Sequence, residues 1–299
     1  MFAMLRALGI GLAMGHAVLA TQIAEPAQNC SSVHFFLARG TFEPYPGIQG
    51  ELVNATCSQL SNCDYEDIIF PAISNSTNGF CWSTGSGAQN GTKQLIDYAN
   101  RCPDTKLVIS GYSQGAQVVT DILGGGGGQL WGLCKQSVNA ALDTSTNASK
   151  NLAAAIVFGD TRHTANQSYN VLSGRGINGY AIRTKKMLTA LDVYATRMRS
   201  YCDKNDPICC RGHDINVHLN YFANYTNSAA SWLVSTINNV TIPYKDGLSD
   251  TAAASSYIEA KVSPTASPTP TASSAAGQIA SSLNILLALS LTLCLYSVA

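Results

Sequence analysis

Gly111-Tyr112-Ser113-Gln114-Gly115 is the segment whose residue types and spacing speak most directly of chemistry. A G-x-S-x-G sequence between a strand and a helix puts its serine in a sharp, strained turn, where side chains at the two glycine positions would collide with the neighbouring strand and helix. The turn lifts the Ser113 hydroxyl above the sheet edge. The first N–H groups of the following helix then point to where an oxyanion would form. A serine hydroxyl is a weak nucleophile until a base takes its proton and an acid orients that base, so the chemistry implied is acyl transfer. After such an elbow the acid and then the histidine follow in chain order. The downstream histidines are His163, His213 and His218, and the carboxylates near them include Asp160, Asp192, Asp203, Asp206 and Asp214. Order alone does not choose among them.

A second pattern bears on the acid. Cys202-Asp203-Lys204-Asn205-Asp206-Pro207-Ile208-Cys209-Cys210 brackets Asp206 between cysteines. Closing Cys202 to Cys209 would fix a short loop worth ~2.5 kcal/mol on the loop-entropy model. A clamped loop can hold one carboxylate in one orientation, as an orienting acid requires, with a purely structural hairpin as the alternative.

These groups need rigid elements beneath them. Residues 33–38 form a β-rich apolar run that ends at Arg39-Gly40 and reads as a buried strand, and residues 68–70, before Pro71, read as a short second one. Residues 107–110 and 153–158 read as two more strands. Amphipathic spacing predicts helices within 47–60, over 92–101 and over 114–123, and a final one in part of 221–237. Strands alternating with helices imply an α/β fold with a mostly parallel sheet and helices on both faces. No internal repeat is visible, and the stretch between the two unusual ends is long enough to bury its core as one domain.

The 299 residues carry 18 basic and 18 acidic side chains, and only 12% are charged. A balance of this kind lacks the clustered basic excess that nucleic acid would need. Residues 1–20 carry Arg6, an apolar run and the small-residue close Val18-Leu19-Ala20, which read as a secretory signal peptide. The expected catalytic domain then spans 21–245. Residues 246–276 include SPTASPTPTASS and read as a Ser/Thr/Pro-rich stalk. Residues 277–299 complete the order of small residues, spacer and apolar tail that signals replacement by a GPI anchor, with attachment near Ser274. Sequons at Asn54, Asn75, Asn90, Asn147, Asn166, Asn224 and Asn239 fit a glycan-covered surface.

In an oxidising compartment the cysteines are expected to form bridges. Of the ten, Cys294 lies in the tail, which leaves nine in the domain and therefore one unpaired. Neither Cys57/Cys63 nor Cys209/Cys210 has a companion histidine set at zinc spacing, so no metal site is expected.

Taken together, Ala38-Arg39-Gly40-Thr41, Arg101-Cys102-Pro103-Asp104, Gly111-Tyr112-Ser113-Gln114-Gly115-Ala116, Phe158-Gly159-Asp160, the Cys202 to Cys210 segment and His218-Leu219-Asn220-Tyr221 resemble the cutinase and acetylxylan esterase family of secreted fungal serine esterases. The matches run in family order from Cys30 to about Ile237. The resemblance implies a lidless α/β-hydrolase, a three-layer sandwich around a central, mostly parallel, five-stranded sheet. It implies Ser113 as nucleophile, His218 as general base and Asp206 as the orienting acid, with the backbone N–H groups of Thr41 and Gln114 as oxyanion donors. It also implies bridges Cys30 to Cys102, ~4.4 kcal/mol on the loop-entropy model, and Cys202 to Cys209. The double cysteine is similar to the acetylxylan esterase branch and suggests Cys134 as a partner for Cys210, which would leave the odd thiol among Cys57, Cys63 and Cys81. The implied activity is hydrolysis of esters of cell-wall polymers, acetylated xylan or cutin-type polyester, by a monomer that needs no cofactor. The competing expectation is a non-catalytic, glycosylated wall protein that keeps the fold. Phe42 stands where plant-polyester cutinases carry a second small hydroxyl residue, and the glycine run 124–128 has no simple counterpart in them.

Overall fold

A computed structural model describes residues 29–240, apart from 77, 131 and 133. The expected signal peptide, stalk and anchor signal lie outside the described residues.

The elements run β1 (Val33–Ala38), α1 (Gly50–Cys57), β2 (Cys63–Asp67), α2 (Gly79–Arg101), β3 (Lys106–Tyr112), α3 (Gln114–Gly124), β4 (Gly126–Leu130), β5 (Cys134–Asn139), α4 (Asn147–Lys150), β6 (Leu152–Phe158), β7 (Asn170–Val171), α5 (Lys185–Asp192), β8 (Met198–Tyr201), α6 (Ile215–Leu219) and α7 (Tyr221–Asn239). The main sheet has six strands in the order β2-β1-β3-β6-β8-β7, and every pairing is parallel. Five strands were expected, and the two-residue β7 accounts for the sixth. β4 and β5 form a separate antiparallel pair.

Residues of β1, β3 and β6 are buried on both faces, as a parallel sheet covered by helices demands. Period-2 alternation sorts them. Phe36, Ile109 and Val157 pack with residues of α2, α3 and α5, whereas Phe35, Val108 and Ile156 pack with residues of α1 and α7. The strands all rise toward one end of the sheet, where Ala38, Tyr112 and Phe158 close β1, β3 and β6. At the opposite end, Lys106 at the start of β3 donates from Nζ to the carbonyl of Ile237 near the end of α7, at 2.7 Å.

Two predicted elements move. The second strand lies at Cys63–Asp67 rather than 68–70, because the edge of the sheet takes a polar segment whose carboxylates Asp64 and Glu66 face the buried His34 of β1. The helix predicted over 92–101 begins at Gly79. Its glycines allow that extension: a Cβ at Gly87 would lie 2.7 Å from Val118 and one at Gly91 2.5 Å from Ile122, so α2 and α3 approach closely only because both positions are bare.

Among the described residues four bridges form: Cys30–Cys102, Cys57–Cys63, Cys81–Cys134 and Cys202–Cys209. The expected pairing of Cys134 with Cys210 is therefore corrected, since Cys134 on β5 is bonded to Cys81 on α2. The odd thiol is the buried Cys210 and not one of Cys57, Cys63 or Cys81.

Candidate active site

Ser113 sits between β3 and α3 with φ 55° and ψ −116°, a backbone conformation that non-glycine residues rarely hold and that costs on the order of 1–3 kcal/mol. Its neighbours enforce the turn. A Cβ on Gly111 would stand 2.4 Å from the Gly115 carbonyl oxygen, and one on Gly115 only 1.8 Å from that of Ala38. The Ser113 N–H donates to the carbonyl of Phe158 at 2.9 Å, which ties the elbow to the end of β6. The side chain of Ser113 stays partly exposed.

The next residue after Phe158 carries the second half of the site. Gly159 has φ +61°, and a Cβ there would lie 2.6 Å from Cε1 and 2.7 Å from Nδ1 of His218. The end of β6 thus touches both the elbow and the imidazole. His218 on α6 is 2% exposed, and its Nδ1 lies 2.9 Å from Oδ2 of the fully buried Asp206. The ring also stacks on Tyr112 at 5.0 Å between centroids, and the Tyr112 hydroxyl donates to the His218 carbonyl at 3.0 Å.

Asp206 is held from several directions. Oδ2 also accepts from the Tyr221 hydroxyl at 2.7 Å, while Oδ1 accepts from the N–H groups of Ile208 at 2.6 Å and Cys209 at 3.2 Å. Burial works to raise its pKa, but the facing imidazole and these donors outweigh burial and hold the carboxyl below the usual carboxylate range. The Cys202–Cys209 bridge closes the loop that carries it.

Thr41 follows β1 in a loop at the same end of the sheet. Phe42 beside it has φ 62°, and its N–H donates to Ala72 at 2.7 Å. Gln114 opens α3, where first-turn N–H groups have no intrahelical acceptor. Its buried side chain points elsewhere, accepting from the Ser83 hydroxyl at 2.9 Å and donating to the Ile73 carbonyl at 3.0 Å.

The other candidates separate from this group. His163 is buried with Ser200 and Asn170, each 3.5 Å from a ring nitrogen, and burial lowers its pKa. His213 is exposed, as are Asp214 and Asp192; Asp160 is committed to Thr120 and the Arg162 N–H. The sulfurs of Cys202, Cys209 and Cys210 lie within 4.8 Å of one another, yet two of them are spent in a disulfide and offer no thiolate to a metal. Spacing does not reveal Tyr221, Tyr112 or Gly159 as supports of the site, although each stands inside or beside a segment that carries the family resemblance.

The family model described as Cutinase matches residues 29–237. The chain is 32% identical over 217 residues to "Cutinase 11" of Verticillium dahliae, covering 71% of each chain. It is 32% identical over 218 residues to "Acetylxylan esterase" of Hypocrea jecorina, covering 71% of this chain and 69% of that one. Among solved structures, the catalytic core domain of acetyl xylan esterase from Trichoderma reesei superposes with a TM-score of 0.62 at 31% identity, covering 70% of this chain and all of that one.

Proposed function

The chain belongs to the cutinase family of carboxylic ester hydrolases, and from that premise we propose that Ser113 is its nucleophile, His218 the general base, Asp206 the orienting acid, and the N–H groups of Thr41 and Gln114 the oxyanion donors. The observation that carries the reading is the 2.9 Å contact of His218 Nδ1 with the buried Asp206, beside a serine held at positive φ. With its proton on Nδ1, bonded to Asp206, the imidazole has Nε2 left to take the Ser113 proton. Oγ then attacks the ester carbonyl, and the carbonyl oxygen becomes an oxyanion bonded to the two N–H groups. Collapse breaks the bond to the alcohol, which leaves with the proton from Nε2. Water, deprotonated by the same nitrogen, attacks the acyl-enzyme, and the carboxylic acid departs as Ser113 regains its proton.

Esters of cell-wall polymers are the proposed substrates, supported by relatives named as cutinase and acetylxylan esterase. Four disulfides among the described residues favour an oxidising, extracellular setting, and the sequence of residues 246–299 favours attachment through a GPI anchor. Ser113→Ala is expected to lower kcat on a short-chain p-nitrophenyl ester by several powers of ten, on the order of 10⁶ as for other serine triads, and to abolish labelling by a fluorophosphonate. Turnover or labelling near the wild-type level would overturn the assignment. Failure of the wild-type protein itself to label would favour the non-catalytic wall protein.

A further inference from the structure

Glu43, two residues beyond Thr41, has no part in the chemistry above. Its carboxylate is folded back under the loop that carries Thr41: Oε2 accepts from the Gly40 N–H at 2.7 Å, and Oε1 accepts from the Ile48 N–H at 3.4 Å. The surroundings are shaped to it. A Cβ on Gly47, at φ +82°, would lie 2.5 Å from Oε2, and one on Gly40 would lie 3.0 Å from it. Arg39 fastens the backbone of the same turn, donating from Nε to the Glu43 carbonyl at 2.7 Å and from Nη2 to that of Pro71 at 3.2 Å, with its guanidinium 3.7 Å above the Tyr45 ring. We propose that Glu43 is a positioning residue of the esterase: its carboxylate fixes the Gly40–Thr41 backbone so that the Thr41 N–H is aimed before substrate arrives.

The proposal rests on the assignment of Ser113, His218 and Asp206 above. Oxyanion stabilisation depends on donors already in place, so a loop free to turn its N–H away forfeits much of the effect. Burial of Glu43 raises its pKa, while the Gly40 and Ile48 N–H groups, His218 and Arg39 oppose that rise. Glu43 lies beside Tyr112, since a Cβ on Gly40 would be 3.0 Å from Glu43 Oε2 and 2.9 Å from Cδ1 of Tyr112, the ring on which His218 stacks.

The test compares Glu43→Gln, Glu43→Asp and Gly47→Ala in the full-length protein, with kcat and KM read separately on a p-nitrophenyl ester. Glu43→Gln leaves one acceptor oxygen for the Gly40 and Ile48 N–H groups, so kcat is expected to fall about tenfold with KM within twofold. Glu43→Asp keeps the charge on a shorter arm, and Gly47→Ala pushes the carboxylate aside without removing it. Both are expected to lower kcat with KM again within twofold. A kcat within twofold of wild type in all three variants, or a loss confined to KM, overturns the proposal; should Glu43→Gln fail to fold, the kcat of the other two decides. Ser113→Ala in parallel separates the two readings: activity surviving in it refutes the nucleophile, whereas unchanged Glu43 variants beside an inert Ser113→Ala refute Glu43 alone.

Discussion

Gly159 is a single bare position between β6 and the His218 imidazole, and Gly159→Ala measures how tightly the proposed base must be held. An added Cβ would lie 2.6 Å from Cε1 of His218, whereas carbon atoms in contact sit about 3.5–4.0 Å apart, so the ring must retreat by about 1 Å. Retreat would stretch the 2.9 Å contact with Asp206, whose Oδ2 would itself lie 3.3 Å from the new Cβ, and disturb the stacking on Tyr112, whose hydroxyl is bonded to the His218 carbonyl. Displacement of a catalytic group by about 1 Å can cost about 10²-fold in rate. The φ of +61° adds a separate penalty of about 1–2 kcal/mol for a residue with a Cβ, which for a domain of this size lowers the melting temperature by roughly 2–8 °C. The assay pairs kcat/KM on p-nitrophenyl acetate with thermal unfolding followed by circular dichroism. A loss of about 10² in kcat/KM with the protein still folded at the assay temperature is the expected result. A kcat/KM within threefold of wild type would refute the claim that the end of β6 fixes the imidazole.

Two further predictions follow from the acid and from the chain's far end. Tyr221→Phe removes a 2.7 Å donor from ionised Asp206, which costs about 1.5–3 kcal/mol. Because the Asp206 carboxyl is held below its ordinary range, that stability is present above the unfolded pKa of about 3.9 and is lost as pH falls through the folded value. The melting difference between wild type and Tyr221→Phe should therefore be largest near neutral pH and shrink below pH ~4; a difference that does not vary with pH would contradict this. For the proposed anchor, a phospholipase C specific for phosphatidylinositol should release the protein from the cell surface, and truncation after residue 245 should send it into the medium; retention of the truncated form at the surface would count against a lipid tether.

How much of this was legible in the sequence differs from residue to residue. The elbow declares itself because no side chain fits where Gly111 and Gly115 pack against backbone. Asp206 is marked by the cysteines around it. His218 could not be told from His163 or His213 by spacing, because what distinguishes it is the contact with Asp206 made by a loop and a short helix that no periodicity encodes. The start of α2 was hidden because Gly79, Ser83, Thr84, Gly85 and Gly87 are poor helix formers; close packing on α3 overrides their local preference. β2 was misplaced because an edge strand beside a buried histidine takes acidic residues, while the apolar run after it forms no strand. The glycine run became β4 against β5, steadied by Arg162 and Arg183, whose guanidinium groups donate to the Gly127 and Gly125 carbonyls at 3.2 and 3.3 Å. Those arginines arrive from distant loops, a long-range cause that local composition does not carry.

The bond from Lys106 to Ile237 bears on how the enzyme would face its surroundings. All six strands of the sheet run the same way, with Ser113 and Gly159 beyond their finishing ends, and Lys106 stands where β3 begins. Val240, three residues past Ile237 and packed on the same core, therefore lies on the side remote from Ser113. Whatever attaches through the residues after Val240 would join the globule away from the cleft, so the join itself would leave the approach to Ser113 uncovered.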